Sequence, residues 1–188
     1  MNNIIKLPIE KDELKILHTG DIFYLSGLLV TGRDEVYHRI VEENIMPPVD
    51  LKGMAIYHAG PIVKENNTNN FSQSEIHIPH YQLISIGPTT SMRMEKWAAD
   101  FIKKTGVKIM IGKGGMGELT TAACREEGAI HCVYPGGCAV LGASQIKKIT
   151  GCHWAEFGMA ECMWVMESQV FGPLIVSIDT HGNNLFRA

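Results

Sequence analysis

The sequence predicts an α/β domain, and three observations carry the prediction. Short apolar runs rich in β-branched residues recur along the chain, segments with helical apolar spacing separate several of them, and the early runs follow one another without long crossovers. Strands are expected at 22–30, 54–58, 81–86, 107–111, 130–134, 163–167 and 174–179. A parallel pair needs a long crossover, so the short connections early in the chain point to a mixed β-sheet flanked by helices. The strongest helix covers 91–104, where Met94, Trp97, Ala98, Phe101 and Ile102 fall on one stripe. Others are expected at 33–43, 118–127 and 139–150, the last closed by Gly151 just past its end. The polar stretch at 66–74 reads as a surface excursion, and no internal repeat is evident.

Composition bounds the rest. The 188 residues fit a single domain over 1–188, large enough to bury roughly 70% of the surface of the unfolded chain. With 45% hydrophobic and 20% charged residues the chain is neither disordered, collagen-like nor coiled coil. Seventeen Lys+Arg against 20 Asp+Glu give a net charge of −3, so no basic field favours nucleic acid or an anionic membrane. An anion would have to be held by a few placed cations. The N-terminal stretch lacks the unbroken apolar core of a signal peptide, and no run reaches the roughly 18 apolar residues of a membrane span. The expected compartment is cytoplasmic. Five cysteines without a C-x-x-C pair suggest reduced, structural thiols and no metal site in this chain.

Three segments place a cation where helix physics disfavours one. In T-G-R-D, Thr31 reads as an N-cap with Asp34 three residues on, which puts Arg33 in the first helical turn. Arg93 lies in the first turn of the helix that opens at Ser91, and Lys113 lies in a glycine-rich turn before a helix start. A cation there costs about 0.3–1 kcal/mol unless an anion is present. All three follow an expected strand, where α/β sheets usually bind ligands. Arg33, Arg93 and Lys113 are therefore candidates to converge on an anionic substrate, with solvated surface cations as the alternative. Thr89 and Thr90 precede the same helix, as caps or as hydroxyls that bond an oxyanion.

Gly112–Gly117 (GKGGMG) fits G-x-G-x-x-G, but no carboxylate follows about 20 residues later, which argues against a nicotinamide-binding oxidoreductase domain. The histidines show no metal-ligand spacing, although His181 could line a pocket.

With those segments in view, the chain resembles the β subunits of iron–sulfur hydro-lyases, the L(+)-tartrate dehydratases and class I fumarases. The likeness runs through GDIFYLSGLLVTGRD, YHAGPIV, GPTTSMRM, GVKIMIGKGGMG, PGGCAVLGA, ECMWV and FGPLIVSIDTHGNN. The resemblance implies a swivelling β/α/β domain that closes over a [4Fe–4S] cluster held by three cysteines of a partner α subunit. The open iron acts as a Lewis acid while water leaves a 2-hydroxy dicarboxylate. Arg33, Thr89, Arg93 and Lys113 match family residues that contact substrate, with Thr89 in proton handling and the cations on the carboxylates. GPTTSMRM favours tartrate, converted to oxaloacetate, over malate and fumarate. A hetero-oligomer is expected, with a homodimer of isolated chains as the alternative, and the chain alone should be inactive. One departure stands out: family members commonly read R-D-x-x-H, whereas Tyr37 occupies that position here and His38 follows it. One residue turns a helix by about 100°, so no catalytic histidine is carried across.

Overall fold

The computed structural model describes residues 3–9, 12–66 and 80–187. Five strands run parallel in one sheet: β1 (Ile4–Lys6), β2 (Ile22–Thr31), β3 (Ala55–Tyr57), β6 (Ile109–Gly112) and β7 (Ile130–Val133). A hairpin of β4 (Ile62–Asn66) and β5 (His80–Ser85) interrupts the series and forms its own two-stranded sheet. The excursion expected at 66–74 lies, beyond Asn66, outside the described residues. Two strands, β8 (Ile146–His153) and β9 (Met163–Ile178), complete the sheet antiparallel to their neighbours, so the sheet is mixed.

The long β9 pairs with β7, β8 and β2, and its contact with β2 closes β2, β3, β6, β7 and β9 into a ring. The period-2 alternation of a strand then sorts side chains into an inner and an outer core. Ala55, Tyr57, Ile109, Ile111, Ile130, Cys132 and Val176 fill the inner core, where Tyr134 stacks on Phe171 at 4.9 Å and Tyr57 meets both edge-on. Ile56, Met110 and Ile178 face outward against three helices, α1 (Asp34–Val41), α2 (Glu95–Thr105) and α3 (Glu118–Glu127). The apolar stripe expected for the second helix does this packing: Trp97, Ala98, Phe101 and Ile102 are all buried. No helix among the described residues is long and apolar enough to cross a membrane.

Three local expectations are corrected. The strands expected at 163–167 and 174–179 are one continuous β9, although Pro173 removes a ladder donor. The side chain of Gln145 bridges that place: Gly172 N–H donates to its Oε1 at 3.1 Å and its Nε2 donates to the Gly172 carbonyl. The helix expected at 139–150 stops early, as α4 (Ala139–Ser144), and Ile146, Ile149 and Thr150 continue as β8 because β9 offers them a partner. Finally, the helix expected from 91 opens as a 3-10 turn, Ser91–Met94, before α2.

Candidate active site

The parallel strands β2, β3, β6 and β7 end side by side, so the turns that follow them share one rim. Segment 87–94 runs across that rim, with Ala59 bridged to Pro88 and Thr90 bridged to Lys113. Thr89 N–H donates to the His58 carbonyl at 2.7 Å, Lys113 N–H to the Thr89 carbonyl at 2.9 Å, and Ser91 N–H to the Lys113 carbonyl at 3.0 Å. Thr89 and Lys113 are thereby laced together through their main chains.

Arg33 and Arg93 join the same rim through carboxylates. Arg93 Nη2 lies 2.7 Å from Asp34 Oδ2 and its Nε donates to Oδ1 at 3.2 Å, a two-point grip on the residue beside Arg33. Arg33 Nη2 lies 2.8 Å from Glu161 Oε1, and its Nη1 donates to the Ala160 carbonyl at 3.3 Å. Gly60 makes room for it, since a Cβ there would sit 2.5 Å from Nη1. Lys113, by contrast, has no carboxylate partner among the described residues, and its Cδ lies 3.7 Å from where a Gly136 Cβ would be. The three cations and two carboxylates leave one net positive charge on the rim. Burial pushes the Glu161 carboxyl up while Arg33 draws it down.

The reasons these cations sit here differ from the sequence reading. Arg33 is itself the N-cap of α1, in extended conformation and with no side-chain cap bond. Thr31 is no cap: its Oγ1 accepts Trp164 N–H at 3.0 Å and donates to the Cys162 carbonyl at 3.4 Å, tying β2 to β9. Thr90 precedes the 3-10 turn without a side-chain cap bond. Arg93 sits within that turn, and the acid in the first turn of α1 is its partner.

Three of the four glycines of GKGGMG have a packing role, and the fourth, Gly114, has open space around it. A Cβ on Gly112 would lie 2.0 Å from Ser91 Oγ, one on Gly115 would strike the Phe186 ring at 2.7 Å, and one on Gly117 would meet Glu95 Oε1 at 2.6 Å. The N-terminus of α3 is already occupied by the Glu95 carboxylate, which accepts from Gly117 N–H at 2.8 Å, Thr120 N–H at 3.3 Å and the Thr120 hydroxyl at 2.5 Å. A dinucleotide pyrophosphate would need those same donors.

Beneath the rim lies a group of residues of which the sequence singled out only Tyr37, as a departure from a family motif. Tyr37 hydroxyl bonds His58 Nε2 at 2.7 Å, His58 Nδ1 bonds Ser91 Oγ at 2.9 Å, Ser91 Oγ bonds His131 Nε2 at 2.9 Å, and His131 Nδ1 bonds Ser177 Oγ at 2.5 Å. All five side chains are fully buried. The Ser177 hydroxyl donates to the His131 carbonyl at 3.0 Å, which fixes every proton upstream. His131 must donate from Nδ1 and accept at Nε2 from Ser91, His58 must donate to Ser91, and Tyr37 must donate to His58. Burial holds both imidazoles neutral: His58 lies well below the usual histidine range, with His131 adding to the effect, and His131 is pushed down to about 3. A histidine in an otherwise apolar strand was the available signal. Tyr37 thus takes an inward place in α1, while His38 lies half exposed beside Glu43 at 3.3 Å. His181 stacks on His18 and bonds the Lys15 carbonyl at 3.0 Å, away from this rim.

The thiols do not converge on a cluster site. Cys132 lies in the inner core and Cys124 in the outer one, and only Cys152 and Cys162 approach, at 3.6 Å. No three His, Cys, Asp or Glu side chains among the described residues could hold a metal ion together.

The family model described as Fumarase C-terminus matches residues 2–188. The L(+)-tartrate dehydratase subunit beta of Escherichia coli (strain K12) is 48% identical over 185 residues, 98% of this chain and 87% of that protein. The protein of the same name from Shigella boydii shows the same identity and coverage. A Geobacillus stearothermophilus protein named "Putative fumarate hydratase class I" is 34% identical over 96% of this chain, which spans 33% of that longer protein. By both its full-length family match and these identities, the chain belongs to the fumarase C-terminus family.

Proposed function

We propose that this chain is the β subunit of an iron–sulfur hydro-lyase that removes water from a 2-hydroxy dicarboxylate, L(+)-tartrate, to give oxaloacetate. The observation that carries the reading is the rim: Lys113, with no carboxylate partner among the described residues, beside Thr89, with Arg33 and Arg93 held next to them. The relatives named L(+)-tartrate dehydratase subunit beta support the substrate and the need for an α subunit. The likeness to a class I fumarate hydratase fits malate and fumarate as a second reading, at lower identity.

In this account Arg33 and Arg93 orient the two carboxylates with their planar guanidinium forks, and Lys113 supplies a point charge where negative charge develops as the proton leaves. The Thr89 hydroxyl makes no hydrogen bond to another described residue, while its main chain is fixed on both sides, so it is free to handle the proton next to the carboxylate. Loss of that proton and of the neighbouring hydroxyl gives an enol, which becomes the keto acid. In this reading the iron–sulfur cluster is held by the α subunit, which the dispersal of this chain's described thiols supports. Free thiols suit a cytoplasmic enzyme.

The test is anaerobic co-expression with the α subunit, followed by assays on L(+)-tartrate, D-tartrate, malate and fumarate. Turnover of L(+)-tartrate above the others is expected, and none from this chain alone. Preference for malate would favour the second reading, and full activity of this chain by itself would overturn both.

A further inference from the structure

Three members of the buried polar series, Tyr37, His58 and Ser91, bond through their main chain to the main chain of a rim residue. His58 is the hub: its ring holds Ser91, its carbonyl accepts Thr89 N–H, and its own N–H donates to the Ile111 carbonyl at 2.7 Å. Ser91 in turn donates its N–H to the Lys113 carbonyl at 3.0 Å. Tyr37 donates its N–H to the Arg33 carbonyl at 3.0 Å, so the side chain that binds His58 also fixes the first turn of α1. Gly112 leaves the space that Ser91 occupies. The far end is anchored in β9 by Ser177.

We propose that His58 and Ser91 are positioning residues of the site: acting through Thr89, Lys113 and α1, they set the spacing between Arg33 and the Thr89–Lys113 pair. An apolar filling of the same volume would leave the 89–93 turn free to rotate against α1. The series allows one proton arrangement only, so it specifies one relative placement. None of its members touches the substrate in this account. The inference rests on the dicarboxylate reading above and adds which residues preset the distance between the cations.

The test uses the complex reconstituted with the α subunit, carrying Ser91→Ala or Tyr37→Phe in this chain, with Lys113→Ala for reference. Each is assayed on L(+)-tartrate below its thermal midpoint. Misplacing the 89–93 turn in Ser91→Ala should lower kcat/KM about 100-fold. Tyr37→Phe removes only the terminal donor and keeps the ring stacked on Phe101, and it should lose about tenfold, as supporting residues around a site commonly do. In Ser91→Ala, ¹⁵N spectra should show His58 changing from a single Nδ1–H tautomer to a mixture, while His131, still held by Ser177, keeps its Nδ1–H. A merely structural role would lower the thermal midpoint while leaving kcat/KM of the folded complex unchanged, and that result would overturn the inference. If Ser91→Ala does not fold, Tyr37→Phe decides alone. A wild-type complex with no dehydratase turnover would instead overturn the dicarboxylate reading, and this inference with it. Loss in Lys113→Ala alone would overturn only the inference.

Discussion

Arg33 reaches two groups at once, the Glu161 carboxylate at 2.8 Å through Nη2 and the Ala160 carbonyl at 3.3 Å through Nη1, one with each arm of its guanidinium fork. Arg33→Lys in the reconstituted complex is therefore expected to lower kcat/KM for L(+)-tartrate at least about tenfold, as loss of a bidentate contact does. Steady-state kinetics would check this, and an unchanged kcat/KM would count against Arg33 as a carboxylate ligand. The cations could be read in the sequence because each breaks a local rule, a positive charge at a helix start, within a few residues of a strand end. Their carboxylate partners could not. Glu161 lies far along the chain from Arg33, and its contact with the helix start exists only once β9 lies beside β2. The buried series was hidden for the same reason, its members being 21, 33, 40 and 46 residues apart in sequence.

Strands and helices were legible where periodicity alone decides them. The third helix is found at Glu118–Glu127, as expected, and β2, β3, β5, β6 and β7 lie within a few residues of their expected places. Errors arose where tertiary partners override local preference. Residues 146–150 alternate with helical spacing yet pair with β9, and Pro173 reads as a strand break until Gln145 supplies the bridging bonds. The glycine run of the turn after β6 shows the same contrast. Gly112→Ala would drive a methyl into Ser91 Oγ at 2.0 Å, and a fully buried overpacking of this kind should cost about 1–3 kcal/mol. Gly114 has open space around it and a φ of 74°, so Gly114→Ala should cost about 1 kcal/mol through backbone strain alone. Urea denaturation of the three proteins would rank them, and a Gly112→Ala midpoint equal to wild type would show that the series does not need that space.

The closed ring and its helical cover keep two neutral imidazoles out of water, which ties the stability of the whole domain to pH. Both histidines are shifted down by burial, so the unfolded chain binds protons near pH 6.5 that the folded chain refuses. Their contribution is complete above the unfolded value and is lost as pH falls from there toward about 3, where His131 titrates in the fold. The limiting slope from two such groups is about 2.7 kcal/mol per pH unit. Urea midpoints should fall steadily between pH 7 and 5, as read by circular dichroism, and a flat profile would show that the imidazoles accept protons in place. The proposed function draws on the same architecture, since parallel strand ends gather the cations at one rim while Lys52 stands apart from it, in a cavity of about 630 Å³ with Lys15, Lys108 and Arg125. The decisive measurement compares kcat/KM for L(+)-tartrate in reconstituted complexes carrying Lys113→Ala or Lys52→Ala. The rim account predicts a loss of about 100-fold or more for Lys113→Ala, the scale of removing one charge-stabilising group, and wild-type values for Lys52→Ala. Equal activity in both variants would contradict it.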